Sequence, residues 1–229
     1  MSSYRNGAIT LLRMGLPFYF ADLRKENSGK VLDLSGENFS GLDLHYVDFS
    51  GVNLVGVNFT QARLQGCDFT RADLRGAQLV ASDMSGVEFG GANLTGVNFS
   101  HSTLKKARFC KADIRCANLF SADLQYADLQ YADLTGANLI KSNLFRAKLI
   151  NINLIGADLQ YADLQYADLT DANLLDANFT SANLGSANFT RARINQSLSV
   201  WLSVKGLDCI TGFPPRTFLA AVAAGWKRG

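Results

Sequence analysis

The sequence predicts an all-β solenoid: a chain wound into stacked four-sided coils, with short helical caps at both ends. Three observations carry the prediction. First, a five-residue phrase, A-[D/N]-L-x-x, recurs from Val31 to about Gln196, with its central apolar residue at Leu34, Phe39, Leu44 and every fifth position to Ile194, 33 times in register. Second, from Val47 onward the residue two places before each centre is small or β-branched, usually Ala, otherwise residues such as Val52, Cys67, Ser82 and Val97. Third, glycines fall in a twenty-residue column, Gly36, Gly56, Gly76, Gly96, Gly136 and Gly156.

Period five matches neither a helix nor a flat strand. Two inward residues at i and i+2 are strand-like, because alternate side chains of a strand share a face. To return the next pair inward the chain must turn after every phrase, and a path that always turns the same way closes into a coil. Phe39, Phe49, Phe59 and Phe69 alternate with Leu centres and suggest a period of ten, but the glycine column favours a twenty-residue coil of four phrases. Glycine at the last position of the phrase suits a tight corner. Asp or Asn precedes the centre in 26 of the 33 phrases, so these side chains are expected to satisfy backbone groups at the corners before they serve any chemistry.

The repeated phrase resembles the pentapeptide-repeat family over residues 31–197. The resemblance implies a right-handed quadrilateral β-helix of about eight coils, a rod roughly 40 Å long at the usual spacing between paired strands. Residues 1–30 are expected to be an N-terminal helical cap. Ala8, Ile9, Leu11 and Leu12 form a short amphipathic helix ending near Gly15-Leu16-Pro17, and Phe18, Phe20 and Leu23 continue the apolar cover. A solenoid end exposes core and unpaired strand edge, so it needs such a cap. Residues 198–229 are a separate C-terminal cap. Leu198, Val200, Leu202 and Val204 alternate as in a last strand, and Pro214-Pro215 leads into a short helix. In the family such a module often closes the rod and pairs two subunits. Trp201, Phe218, Leu219, Val222 and Trp226 are the candidate cap or dimer contacts.

No apolar run approaches the roughly 20 residues a membrane span needs. The N-terminal apolar stretch is interrupted by Arg13 and Pro17, which is a poor signal peptide. Cys67 sits at an inward position, Cys110 and Cys116 at outward ones, and with Cys209 they match no zinc spacing. Reduced thiols and a cytoplasmic location follow as the expectation, with export as an effector lacking a classical leader left open.

Two groups of outward residues stand out. Lys105, Lys106, Arg108, Lys111, Arg115, Lys141, Arg146 and Lys148 concentrate positive charge near mid-rod, either as a patch for an anionic partner or as ordinary solvated surface. Phe120, Ile140, Phe145, Ile150 and Ile155 make the position after the centre apolar, a candidate contact ring. The phrase at 122–139 returns almost unchanged at 157–174 and brings Tyr126, Tyr131, Tyr161 and Tyr166 to corners.

These residues contain no nucleophile–base pair, phosphate loop or cofactor motif, so the expectation is a non-enzyme without cofactors. The leading functional reading is a rigid scaffold that displays side chains to a protein partner, as a regulator or effector does. The resemblance supplies an alternative. Quinolone-resistance members mimic duplex DNA with acidic sides, dimerise through the C-terminus and act on DNA gyrase. Against it, residues 32–197 hold 17 acidic and 13 basic residues, a net of −4, and the whole chain is +2. No loop interrupts the register, as one does in several of those members. Direct nucleic-acid binding through Lys105–Arg115 is disfavoured by the surrounding acids and the lack of interleaved aromatics.

Overall fold

The computed structural model describes residues 2–195, 203–206 and 210–212. Two helices precede the coils: α1, Ser2–Arg13, and α2, Pro17–Glu26. α1 ends just before Gly15-Leu16-Pro17, as the sequence predicts. Pro17 also opens a second helix that the sequence pattern does not announce, at a position where its fixed φ and missing N–H cost nothing. Phe18 is corrected. It is 85% exposed, whereas Phe20 is buried, because two residues apart on a helix point to opposite sides.

From Asp33 onward each residue before a centre forms a parallel bridge with the residue twenty later. One column runs Asp33, Asn53, Asp73, Asn93, Asp113, Asp133, Asn153, Asn173, Arg193. The twenty-residue coil follows directly. Four such columns define four sides, numbered here by their first bridged residues: Asp33, Asn38, Asp43 and Asp48. The ladder bonds alternate as in any parallel pair. Leu34 N–H donates to Asn53 O at 2.8 Å, and Asn53 N–H donates to Leu32 O at 2.9 Å.

Each corner is a four-residue turn whose third residue is left-handed. Glycine suits this, yet twenty-one non-glycine residues adopt it as well, with φ between 52° and 61°. What holds them is hydrogen bonding. At Tyr126 (φ 60°) the N–H donates to Phe145 O on the next coil at 3.0 Å, and Ala127 N–H closes the turn onto Leu124 O at 3.0 Å. At most corners the aspartate or asparagine before the centre adds a third bond. Ser35 N–H donates to Asp33 Oδ1 at 2.9 Å, Ser50 N–H to Asp48 Oδ1 at 2.8 Å, and Ile140 N–H to Asn138 Oδ1 at 3.1 Å. These side chains serve the corners, as expected from their type.

The same bonds set a pH dependence. The Ser35 backbone N–H holds the Asp33 carboxyl below the usual range, and the Arg75 and Arg115 guanidiniums do the same for Asp73 and Asp113. An unfolded aspartate titrates near 3.9, so this stabilisation is complete above about pH 4 and is lost as pH falls through the lower folded values. Circular-dichroism melts are expected to give a flat melting temperature between pH 7 and about 5, with a decline below about 4.

The core is a column of centres and small inward residues. Phe49, Phe69, Phe89 and Phe109 stack on the fourth side at 5.0–5.2 Å between ring centroids. Phe59 and Phe99, on the opposite second side, meet them edge-on. Phe20 of α2 continues the stack onto Phe49 at 5.8 Å. Cys67 is buried at an inward position, and burial pushes its thiol up to about 12, while Cys110 and Cys116 are exposed.

The first coil has carbonyls with no preceding coil to donate to them. Two cap arginines fill that role. Arg5 Nε donates to Asp33 O at 2.9 Å and Nη2 to Ser35 O at 3.1 Å, the positions that take coil N–H bonds elsewhere. On the fourth side Arg24 donates to Asp48 O and Ser50 O and pairs with the Asp48 carboxylate at 2.8 Å. Glu37 anchors Arg5 and Arg13 at 2.6 and 3.1 Å.

At the other end the ladder continues beyond residue 197 with longer steps, Asn183 to Lys205 and Asn188 to Thr211. Val204 is buried, and the other residues of the expected last strand, Leu198, Val200 and Leu202, lie outside the described residues. Trp201, Phe218, Leu219, Val222 and Trp226 also lie outside them. In this coil Gly206 and Gly212 occupy the places of Leu184 and Phe189. Both have positive φ, and a Cβ on Gly206 would stand 2.6 Å from Gly185 Cα. Among the described residues no helix is long and apolar enough to cross a membrane.

Candidate protein-contact site

The twenty-residue register sorts the eight candidate cations by side. Lys105, Lys106 and Arg146 lie at the corner between the third and fourth sides, and Arg108 and Lys148 lie just beyond it on the fourth. Lys111, Arg115 and Lys141 sit at the other three corners, so the eight do not make one patch. The five that gather are partly neutralised. Lys105 Nζ is 3.2 Å from the Asp123 carboxylate, and Arg108 is 3.3 Å from Glu88. Arg115 is bound by Asp113 at 2.6 Å.

The same register breaks up the apolar ring. Phe120 and Ile140 share the second side. Phe145 follows the third-side centre, Ile150 the fourth and Ile155 the first, and all five are half-buried. His101 packs edge-on against Phe120 at 5.4 Å, and Lys141 Nζ lies 5.8 Å from the same ring.

At the third–fourth corner the two groups merge. Tyr126 and Tyr166 are 45% and 52% exposed and occupy one column, two coils apart. Phe145, on the coil between, meets both edge-to-face at 5.8 and 5.6 Å. The Arg146 guanidinium carbon lies 5.4 Å from the Phe145 ring and 5.4 Å from the Tyr166 ring. An arginine held between aromatics is preorganised and keeps donors free for a partner. The sequence carried a signal for this cluster, since residues 126, 146 and 166 are twenty apart. Phe145 stands one position off that column and joins it only through the stacking of coils.

The acidic columns are discontinuous. The fourth side has Asp48, Asp68 and Glu88, then Arg108, Asp128, Lys148 and Asp168. The first side mixes acids with Asn, the third interrupts its acids with Arg63, Thr103, Asn143 and Asn183, and the second is almost entirely amide. The continuous acidic side required of a duplex mimic does not form.

Models of the pentapeptide repeat region match residues 31–99, and models of pentapeptide repeats in eight copies match segments spanning 92–196. The chain belongs to the pentapeptide-repeat family. No curated protein matches it. Among solved structures it is similar to QnrB1, a plasmid-mediated fluoroquinolone resistance protein, at 20% identity over 85% of this chain and 98% of that one, with a TM-score of 0.52. That likeness is one of fold. HetL, from the cyanobacterium Nostoc sp. strain PCC 7120 and involved in heterocyst differentiation regulation, is 29% identical over 76% of this chain and 89% of its own, with a TM-score of 0.35. Rfr23 from the cyanobacterium Cyanothece 51142 is 29% identical over 52% and 84%, with a TM-score of 0.31.

Proposed function

We propose that this protein is a non-catalytic, cytoplasmic scaffold, a rod of about eight coils that engages a protein partner through the third–fourth corner. The observation that carries the reading is the exposed cluster of Tyr126, Phe145, Arg146 and Tyr166. Aromatic and arginine side chains dominate the binding energy of protein interfaces, the aromatics because they bury large areas on few rotatable bonds and arginine because its planar fork directs several donors. Here they stand on a backbone fixed by three hydrogen bonds per corner, so ordering them on binding costs little. Lys106 and Lys148 at the rim favour a partner segment with net negative charge.

Affinity capture with wild-type protein, Phe145→Asp and Arg146→Glu tests the reading. A protein retained by wild type and released by both variants, at unchanged circular dichroism, is the expected result. Equal retention by all three would remove this corner as the contact. Relief of fluoroquinolone inhibition when the protein is titrated into purified DNA gyrase would replace this reading with the topoisomerase one.

A further inference from the structure

The second side differs from the other three. Through its middle it presents Asn98, Asn118 and Asn138, and Asp158 is the only charge in its bridge column. Asn138 Nδ2 donates to Asn118 Oδ1, and Asn118 Nδ2 to Asn98 Oδ1, both at 3.2 Å. Each Oδ1 also accepts the N–H two residues on, so the acceptors of this amide ladder are already used within the chain. A ligand that must donate hydrogen bonds would find few open acceptors there. The bordering first–second corner is mostly glycine, which leaves the face flat.

Of the eight Val, Ile, Leu or Phe residues that directly follow a centre, six border this side. Val55, Ile155 and Leu175 line one corner, and Val80, Phe120 and Ile140 the other. Only Phe145 and Ile150 lie elsewhere. The apolar positions therefore flank the face with a single charge in its bridge column.

We propose that the second side is a contact between two copies of this chain, antiparallel about a two-fold axis passing between Asn118 and Asn138. A two-fold contact must be self-complementary. In this register Phe120 meets Ile140 of the partner subunit, Asn118 meets Asn138 of the partner subunit, and Arg75 lies opposite Asp176 of the partner subunit. Moving the axis onto Asn118 would set Arg115 against Arg115 of the partner subunit. A face roughly 40 Å long and about 15 Å wide gives about 600 Å² per copy, or about 1,200 Å² in total, the lower end for specific interfaces. A contact of this size just clears the roughly 1,000 Å² expected of a biological interface, so it is tested as a weak, reversible one.

The test is sedimentation equilibrium on the full chain, over roughly two decades of micromolar concentration, comparing wild type with Asn118→Asp/Asn138→Asp. The double variant places four carboxylates at the centre of the contact. It should still fold, because Asp113 already stacks on Asp133 and Asp48 on Asp68 in the native coils; an unchanged melt confirms it. Wild type is expected to dimerise, and the double variant to weaken dimerisation at least about tenfold. Phe120→Thr, which leaves the charge unchanged, is expected to weaken it several-fold. A wild-type monomer at every concentration would overturn the proposal. So would a dimer equally stable in the double variant, which would place the interface elsewhere.

Discussion

Replacing Phe69 with alanine is expected to destabilise the protein by about 3–5 kcal/mol, the range for a fully buried aromatic whose cavity cannot collapse. Phe69 is completely buried. It stacks on Phe49 at 5.0 Å and on Phe89 at 5.2 Å, and meets Phe59 edge-on at 6.0 Å. The cavity cannot close easily, because its walls are backbone coils held at fixed spacing by the parallel ladder. Leu129 lies in the same fourth-side column, beyond the last stacked ring, and Leu129→Ala should cost less, about 2–4 kcal/mol. Urea unfolding followed by circular dichroism measures both. A loss below about 1 kcal/mol for Phe69→Ala would show that the rings reseat and that the stack adds nothing beyond bulk burial.

Arg24→Ala is expected to cost about 2 kcal/mol, with the damage confined to the first coil. Its guanidinium supplies charge-assisted bonds to Asp48 O and Ser50 O, which no preceding coil can serve. Amide hydrogen exchange separates this from general weakening. The Asn53 N–H, bonded to Leu32 O, and the Asp68 N–H, bonded to Val47 O, should lose protection, whereas the mid-rod Asn138 N–H should not. Arg24→Lys should restore only part of the loss, since one ammonium does not reproduce the two-pronged geometry. Uniform loss along the rod would mean that the coils melt as one unit and that the cap governs all of them.

Both expectations depend on features that the sequence showed unequally. The unbroken spacing of centres from Leu34 to Ile194 allows only one repeating path, because a single slip would turn every later apolar residue outward. The glycine column then chose twenty residues over ten. The cap arginines were not legible. Arg5 and Arg24 look like ordinary helix surface, and their role follows from where α1 and α2 dock against open carbonyls. The contact residues were half legible. Phe145 and Arg146 were singled out separately, one for apolarity and one for charge. Their union with Tyr126 and Tyr166 depends on neighbours twenty positions apart lying about one strand spacing from each other.

The sequence alone determined the repeat, the inward and outward positions, and the role of Asp and Asn at the corners. Each of these is a local requirement restated every five residues, and periodicity exposes such requirements. The tertiary structure decided which outward residues share an edge, which side is nearly free of charge and how the first coil is closed. Those are relations between coils or between a cap and a coil, fixed by the parallel ladder and by docking, and no five-residue phrase encodes them.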